Sequence, residues 1–498
     1  MKQTFFVRVF RKLIQHFFAP YFNHLNHQVA SIHAYNYAPF LRDDFNNLLQ
    51  LVFPKEYPRL SPSLDCLLLL TLQGHAFAEG NNGWTIHQEL REILHTSDSP
   101  DIRGAAHEKF PTSPSRLKIL FVCGMFPSVR HAGGLRLFDL ISSLSQNHDV
   151  YLFSLFDPQL DQESHDLLKS KLTSISTFSS IDFTKPSILV KLQELNIDHG
   201  FFNIIHFEYN NSVRLIEPLR PYGGKTIFTF MECTGRRSSM DVLLYFPHNS
   251  KKLGRSLREM IENIAHEAVA SRLADITVAL TTEDSDFVQK YSTKKPKVLP
   301  SGVSEWEILN KVQNNTAPYR NKIEGKNVTF LGYFDHYPNL DGMKWYLEFI
   351  HPIVKKQVKD YTITIAGDGN TSELKKLTKN DSSVIYTGRI PDITKPILSS
   401  RVCISPLISG AGFRGKINQY SALHRPTVST RIGTSGTPYE HERSVLIADQ
   451  PEQFAKEVIR LLTDDTLWDT MQREANEVVL ENFVWDKVTK KLESFYYA

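Results

Sequence analysis

At roughly 150 residues per domain, the 498-residue chain is long enough for about three domains, with cores that need no staples. Its 41% hydrophobic and 22% charged residues, with 24 Gly and 25 Pro, exclude a collagen-like, low-complexity or wholly disordered chain. The net charge of +3, from 57 Lys and Arg against 54 Asp and Glu, is too balanced for a dedicated nucleic-acid binder.

That charge is unevenly spread. Lys2, Arg8, Arg11, Lys12 and Arg42 fall within the first 42 residues with no acid among them, so the rest of the chain nets −2. Phe6, Phe10, Leu13, Ile14, Phe17 and Phe18 recur at helical spacing, with Arg8, Arg11, Lys12 and Gln15 opposite. The basic residues interrupt what a signal peptide would keep apolar. Two readings stand for residues 2–18: a helix packed on a core, or one lying on an anionic membrane surface. The longest greasy run, Cys66 to Leu72, is far short of the ~20 residues that span a bilayer. Cys66, Cys123, Cys233 and Cys403 have no paired or metal-ligand spacing, which favours a reducing compartment without disulfides or structural zinc.

Residues 20–115 read as irregular and helical, broken by Pro54, Pro58 and Pro62, with a short helix from His87 to Leu94. A Ser/Pro linker, Phe110 to Ser115, closes this stretch. From Leu117 the pattern becomes strand, loop, helix, strand. LKILFVC (117–123) and VYLFSLF (150–156) flank a Gly/Pro loop and the amphipathic segment LRLFDLISSL. Such apolar runs suit parallel strands buried on both faces. Further strands fall at 202–208, 225–230, 276–280 and 297–301. A second series begins near Asn327, with six strand-like runs spaced by helical segments, one of them opening on Pro451 at a first-turn position. Two Rossmann-like halves imply a cleft between them.

Neither half carries a GxGxxG fingerprint after its first strand, so a dinucleotide site is disfavoured. Gly133 and Gly134 are either a tight turn or a helix N-terminus whose free N–H groups face an anion. The strongest constellation runs from Pro406 to Tyr420, where a strand end, a Gly-rich loop (Gly410, Gly412, Gly415) and a helix start bring backbone amides together with Arg414 and Lys416. That assembly suits a diphosphate: amides and the helix dipole bind anionic oxygens, Arg414 chelates two, and Lys416 is a mobile point charge. Lys416, Gln419 and Tyr420 share one helical face by their spacing. Asp284 and Asp286 imitate a metal-binding DxD but follow a strand directly and read as a solvated helix start.

Taken together these segments resemble the retaining GT-B nucleotide-sugar glycosyltransferases, particularly glycosyltransferase family 4 (glycosyl transferases group 1). The likeness runs from about 117 to 498 and rests on Gly133-Gly134 with its helix, FNIIHFE, SRLADITVALTTEDSDFV, TFLGYFDHYPNLDG, TIAGDGN, VIYTGRI, GAGFRGKINQYSALHRPTVST and VLIADQPEQFAKEVIRLL. It implies an α/β chain of GT-B type: two doubly wound domains facing across a cleft, after a mainly helical N-terminal extension. The boundaries are 1–115 for the extension, 116–310 for the acceptor-side domain, 311–480 for the donor-side domain and 481–498 for a helix packing back toward the first domain. The implied activity moves a sugar, with retention, from a nucleotide-diphosphate donor to a saccharide or lipid-linked acceptor in envelope polysaccharide or glycolipid synthesis.

Carried over by position, Arg414 and Lys416 contact the diphosphate, with Gly410, Gly412 and Gln419 beside them. Gly133 and Gly134 face donor phosphate or acceptor, and His206 and Glu208 sit at a strand end facing the donor sugar; a buried, hydrogen-bonded His206 is the other reading. No metal or separate cofactor is expected, because the basic loop and helix N-terminus can neutralise the leaving diphosphate. The implied setting is cytoplasmic, on the inner membrane face if residues 2–18 bind one, with no nucleic-acid partner. One departure stands out: the family's two Glu, with seven residues between them, fall here on Ala411 and Gln419, neither able to act as a carboxylate. Two alternatives therefore remain, a non-catalytic GT-B scaffold binding a nucleotide sugar or partner, and a nucleotide-sugar epimerase.

Overall fold

The computed structural model describes residues 116–498 except 131, 246–249, 293, 305–307, 309–322 and 411. The N-terminal extension and the helix expected at 2–18 thus lie outside the described residues, as does Ala411. The described chain forms two parallel sheets, each wrapped by helices.

The first sheet holds β1 (Lys118–Cys123), β2 (Asp149–Leu155), β3 (Ser174–Phe178), β4 (Phe202–Glu208), β5 (Gly223–Phe230), β6 (Ile276–Ala279) and β7 (Lys297–Val298). Its helices are α1 (Ala132–Leu144), α2 (Pro158–Lys169), α3 (Lys185–Glu194), α4 (Ile216–Leu219), α5 (Thr234–Tyr245), α6 (Ser250–Leu273) and α7 (Thr282–Val288). The spatial order is β3-β2-β1-β4-β5-β6-β7, all parallel. The direction of winding therefore reverses between β1 and β4.

The second sheet holds β8 (Asn327–Leu331), β9 (Thr362–Ala366), β10 (Val384–Gly388), β11 (Val402–Ser405), β12 (Thr427–Ser429) and β13 (Leu446–Ile447). Around it lie α8 (Tyr337–Trp345), α9 (His351–Gln357), α10 (Ser372–Leu377), α11 (Thr394–Leu398), α12 (Gly415–Ala422), α13 (Pro451–Thr463), α14 (Asp465–Asn482) and α15 (Trp485–Tyr497). Its order, β10-β9-β8-β11-β12-β13, repeats the first sheet's plan and reverses between β8 and β11. In open α/β sheets ligands bind beyond the strand C-termini at such reversals. The two reversals thus single out the loops after β1, β4, β8 and β11.

Local sequence explains the elements. The central strands are buried along nearly their whole length, as apolar runs between two helical layers must be. Thr281 caps α7 by accepting from Asp284 N, and Pro338 and Pro451 occupy first turns, where a missing N–H costs nothing. Strand β3 was not expected: SISTF has three hydroxyl residues in five and lies at the sheet edge. The last helix, α15, packs on the first sheet's side, with Trp485, Val488, Leu492, Phe495 and Tyr496 sharing a core with Ile119, Phe121 and Leu140.

Candidate active site

The loop after β11 is shaped around one guanidinium. Gly410 (φ 101°) and Gly412 (φ 81°) take left-handed conformations that side chains resist. A Cβ at Gly410 would stand 2.9 Å from Arg414 Nη2, and one at Gly412 would stand 3.3 Å from Glu232 Cγ. Arg414 itself is buried, and its Nε and Nη2 have no hydrogen-bond partner among the described residues. Burial pulls it below its ordinary value, while Glu232 and Asp284 oppose that shift. Such a charge-bearing group with idle donors is costly unless something anionic meets it.

Lys416 follows in the first turn of α12. Its Nζ donates to Asn339 Oδ1 at 2.7 Å and lies 4.3 Å from the centre of the Phe330 ring. Burial, reinforced by Arg414, pushes the ammonium down to about 7. His336, which precedes α8, is pushed down to about 4 by burial and then by Lys416, Arg237 and Arg414. Gly415 opens the helix into free space, since a Cβ there would meet nothing within 4 Å. That space lies at the start of α12, where Gly415 and Lys416 are half-buried and Arg414 precedes them. Gln419 lies one turn along, partly exposed. Tyr420, expected on the same face, is buried instead, its hydroxyl accepting from Leu331 N at 2.9 Å.

On the first sheet, Gly133 and Gly134 lie in the first turn of α1, packed against Tyr209, whose Oη would be 2.7 Å from a Cβ at Gly133. Glu208 is fully buried and accepts from Arg136 Nη1 at 3.3 Å; burial pushes its carboxyl up to about 7 against the pull of Arg136. Of the two readings of His206, the structure shows the buried one. Nδ1 bonds Tyr496 Oη at 2.9 Å and Nε2 bonds Thr229 Oγ1 at 2.7 Å, and burial pushes the ring down to about 3, so it is neutral. With both nitrogens engaged inside the sheet, His206 offers no free nitrogen to the cleft.

Sequence reasoning missed the residues that complete the cluster. Glu232 follows β5 and accepts from Arg237 Nη1 at 2.7 Å, while Arg236 Nη1 donates to Asp284 Oδ1 at 2.8 Å. Asp284 is thus no solvated helix residue but a buried partner; only Asp286 is exposed, paired with Lys295. Tyr337 donates to Asp241 across the two halves, and Glu283 Oε1 accepts from Gly436 N at 3.0 Å. Burial pushes Asp241 up to about 6. The signal in the sequence was the stretch Glu232 to Asp241, where two adjacent Arg stand between acids directly after a strand. The site thus gathers Arg236, Arg237, His336, Arg414 and Lys416, with Glu232, Asp241 and Asp284 as counter-charges.

Residues 325–464 match the family model for glycosyl transferases group 1. Solved structures with this architecture include Anabaena Alr3699/HepE in complex with UDP and glucose, at TM-score 0.55 and 13% identity over 76% of this chain and 99% of that one. Sucrose-phosphate synthase from Thermosynechococcus elongatus superposes with TM-score 0.56 at 14% identity, over 76% and 98%. The fold is that of the GT-B glycosyltransferases. Among sequence relatives, an uncharacterized 44.6 kDa protein in the cps region of Klebsiella pneumoniae is 30% identical over 171 residues, 32% of this chain. The match spans 44% of that relative's length. The uncharacterized glycosyltransferase MJ1069 of Methanocaldococcus jannaschii is 18% identical over 76% of this chain and 98% of its own. Of the cluster, His336, Arg414 and Lys416 lie within the residues that the family model covers.

Proposed function

We propose that this chain is a glycosyltransferase that holds a nucleotide-diphosphate sugar in its second half and passes the sugar to a saccharide or lipid-linked acceptor held by the first. One observation carries the reading: a buried Arg414 with two donor nitrogens unpaired among the described residues, beside Lys416 and the open space at Gly415 where α12 starts, at the strand-order reversal of the second sheet. Cations at a helix start suit an anion, and a diphosphate is the anion that a nucleotide sugar brings.

The chemistry follows from charge. Breaking the bond between sugar and diphosphate moves negative charge onto the β-phosphate, so fixed donors aimed there stabilise the transition state more than the ground state. Arg414 supplies paired N–H donors, Lys416 a charge held in place by Asn339, and α12 its amides. Gln419, partly exposed on the same helix, is the residue we assign to sugar or ribose hydroxyls. Retention at the anomeric carbon belongs to the same proposal and rests on the family likeness. The relative named for a cps region supports a polysaccharide setting, and the Phe/Arg pattern of residues 2–18 supports a peripheral membrane one.

The absence of a carboxylate at Gln419 favours a second reading, a scaffold that binds a nucleotide sugar without turning it over. Acceptor-dependent release of nucleoside diphosphate from a panel of UDP-glucose, UDP-N-acetylglucosamine and GDP-mannose separates the two. The proposal expects release that needs both substrates and a product with the donor's anomeric configuration by NMR. Donor binding without acceptor-dependent release would favour the scaffold.

A further inference from the structure

Resting on the reading that the second half binds a nucleotide sugar, we propose that Glu232 is the carboxylate that binds the donor's sugar hydroxyls, reaching them from the opposite half of the molecule. Glu232 stands just past the C-terminal end of β5, the end of a parallel sheet where ligands bind. It meets the Gly-rich loop directly: a Cβ at Gly412 would lie 3.3 Å from its Cγ and 3.7 Å from its Cα and Cβ. A side chain at Gly412 would crowd Glu232 there and strain a backbone at φ 81°.

The carboxylate is held but not used up. Its Oε2 takes Arg237 Nη1 at 2.7 Å, and Oε1 accepts no bond from any other described residue. The side chain keeps 28% of its surface exposed, while burial raises its carboxyl above the ordinary value against the pull of Arg237 and Arg414. Arg414 lies within its field, which sets Glu232 beside the proposed diphosphate site while Arg414 Nε and Nη2 stay unpaired among the described residues.

Sugar hydroxyls are hydrogen-bond donors, and adjacent pairs of them suit the two oxygens of one carboxylate. The described part of the loop, Ser409, Gly410 and Gly412–Arg414, contains no acid, and α12 offers Gln419 in place of one. Glu232 is the acid that meets this loop, and it does so from the other half.

Electrostatics gives the test its direction. A negative Glu232 near the diphosphate site opposes anion binding, so Glu232→Gln leaves the affinity for nucleoside diphosphate unchanged or raises it. If Glu232 grips the sugar, the same change lowers the affinity for the sugar-bearing donor by about tenfold. Calorimetry would compare wild type, E232Q and E232A with whichever panel donor binds wild type best, and with its parent nucleoside diphosphate. Glu232→Gln keeps the shape and an acceptor for Arg237, and a circular-dichroism melt for each variant reports folding. The expected result is loss confined to the nucleotide sugar. Equal loss for both ligands would overturn the proposal and make Glu232 a positioning residue for Arg414; no loss for either would overturn it as well. Failure of wild type to bind any member of the panel would overturn the nucleotide-sugar reading and this inference with it.

Discussion

Lys416 sits where burial and the Arg414 guanidinium push its ammonium down to about 7, against an ordinary value near 10.5. Below pH 7 the free protein already carries that charge. Above it the amine is neutral, and a bound diphosphate, which stabilises the ammonium, draws a proton from solution. Donor affinity should therefore fall as pH rises through 7, and calorimetry at pH 8 in buffers of different ionisation enthalpy should show uptake of up to one proton per donor bound. Lys416→Met should remove both effects, and uptake that persists in this variant would place the titrating group elsewhere. At this scale the sequence was informative where chemistry is local: Arg414, Lys416 and their glycines lie within seven residues. Glu232, Arg237 and His336 were missed because only the fold brings them to that loop, although Glu232 and Arg237 lie in a charged stretch directly after a strand. His206 misled for a similar reason, since its burial depends on Tyr496 at the far end of the chain.

The cations of the first half stand at the start of α5, and one buried carboxylate fixes that start. Glu267 of α6 accepts from Gly235 N at 2.9 Å, Thr234 Oγ1 at 3.1 Å and Tyr291 Oη at 2.5 Å, with no exposure to solvent. Glu267→Ala would leave those donors buried without partners, at ~1–3 kcal/mol each. We expect a loss of at least about 3 kcal/mol in denaturant unfolding and weaker donor binding, because Arg236 and Arg237 lose their placement. A change under about 0.5 kcal/mol would mean that water or rearrangement replaces the carboxylate. The elements themselves were largely legible. Central strands such as β1 and β4 are apolar on both faces, whereas edge strand β3 meets solvent, carries hydroxyls and gives no such run.

Across the whole molecule, the chain ends by returning to its first sheet. Trp485, Val488, Leu492, Phe495 and Tyr496 are buried there, Lys225 Nζ donates to Tyr496 O at 2.9 Å, and a Cβ at Gly302 would collide with the Trp485 ring. Five such side chains at ~1.5–3 kcal/mol each rival the ~5–15 kcal/mol that holds a domain together. Deleting residues 485–498 should therefore open the first sheet to limited proteolysis, and equal protection of β1 and β4 in the truncated chain would contradict that role. Donor binding is the property on which the functional reading turns, and calorimetric titration of the nucleotide-sugar panel into wild type, R414A and K416A measures it most directly. Charge-assisted bonds to phosphate of ~1.5–3 kcal/mol, at ~1.4 kcal/mol per tenfold, predict donor binding by wild type that weakens about tenfold to a hundredfold in each variant. Donor affinity unchanged in both variants would show that the Gly-rich loop is only a turn and that the diphosphate lies elsewhere.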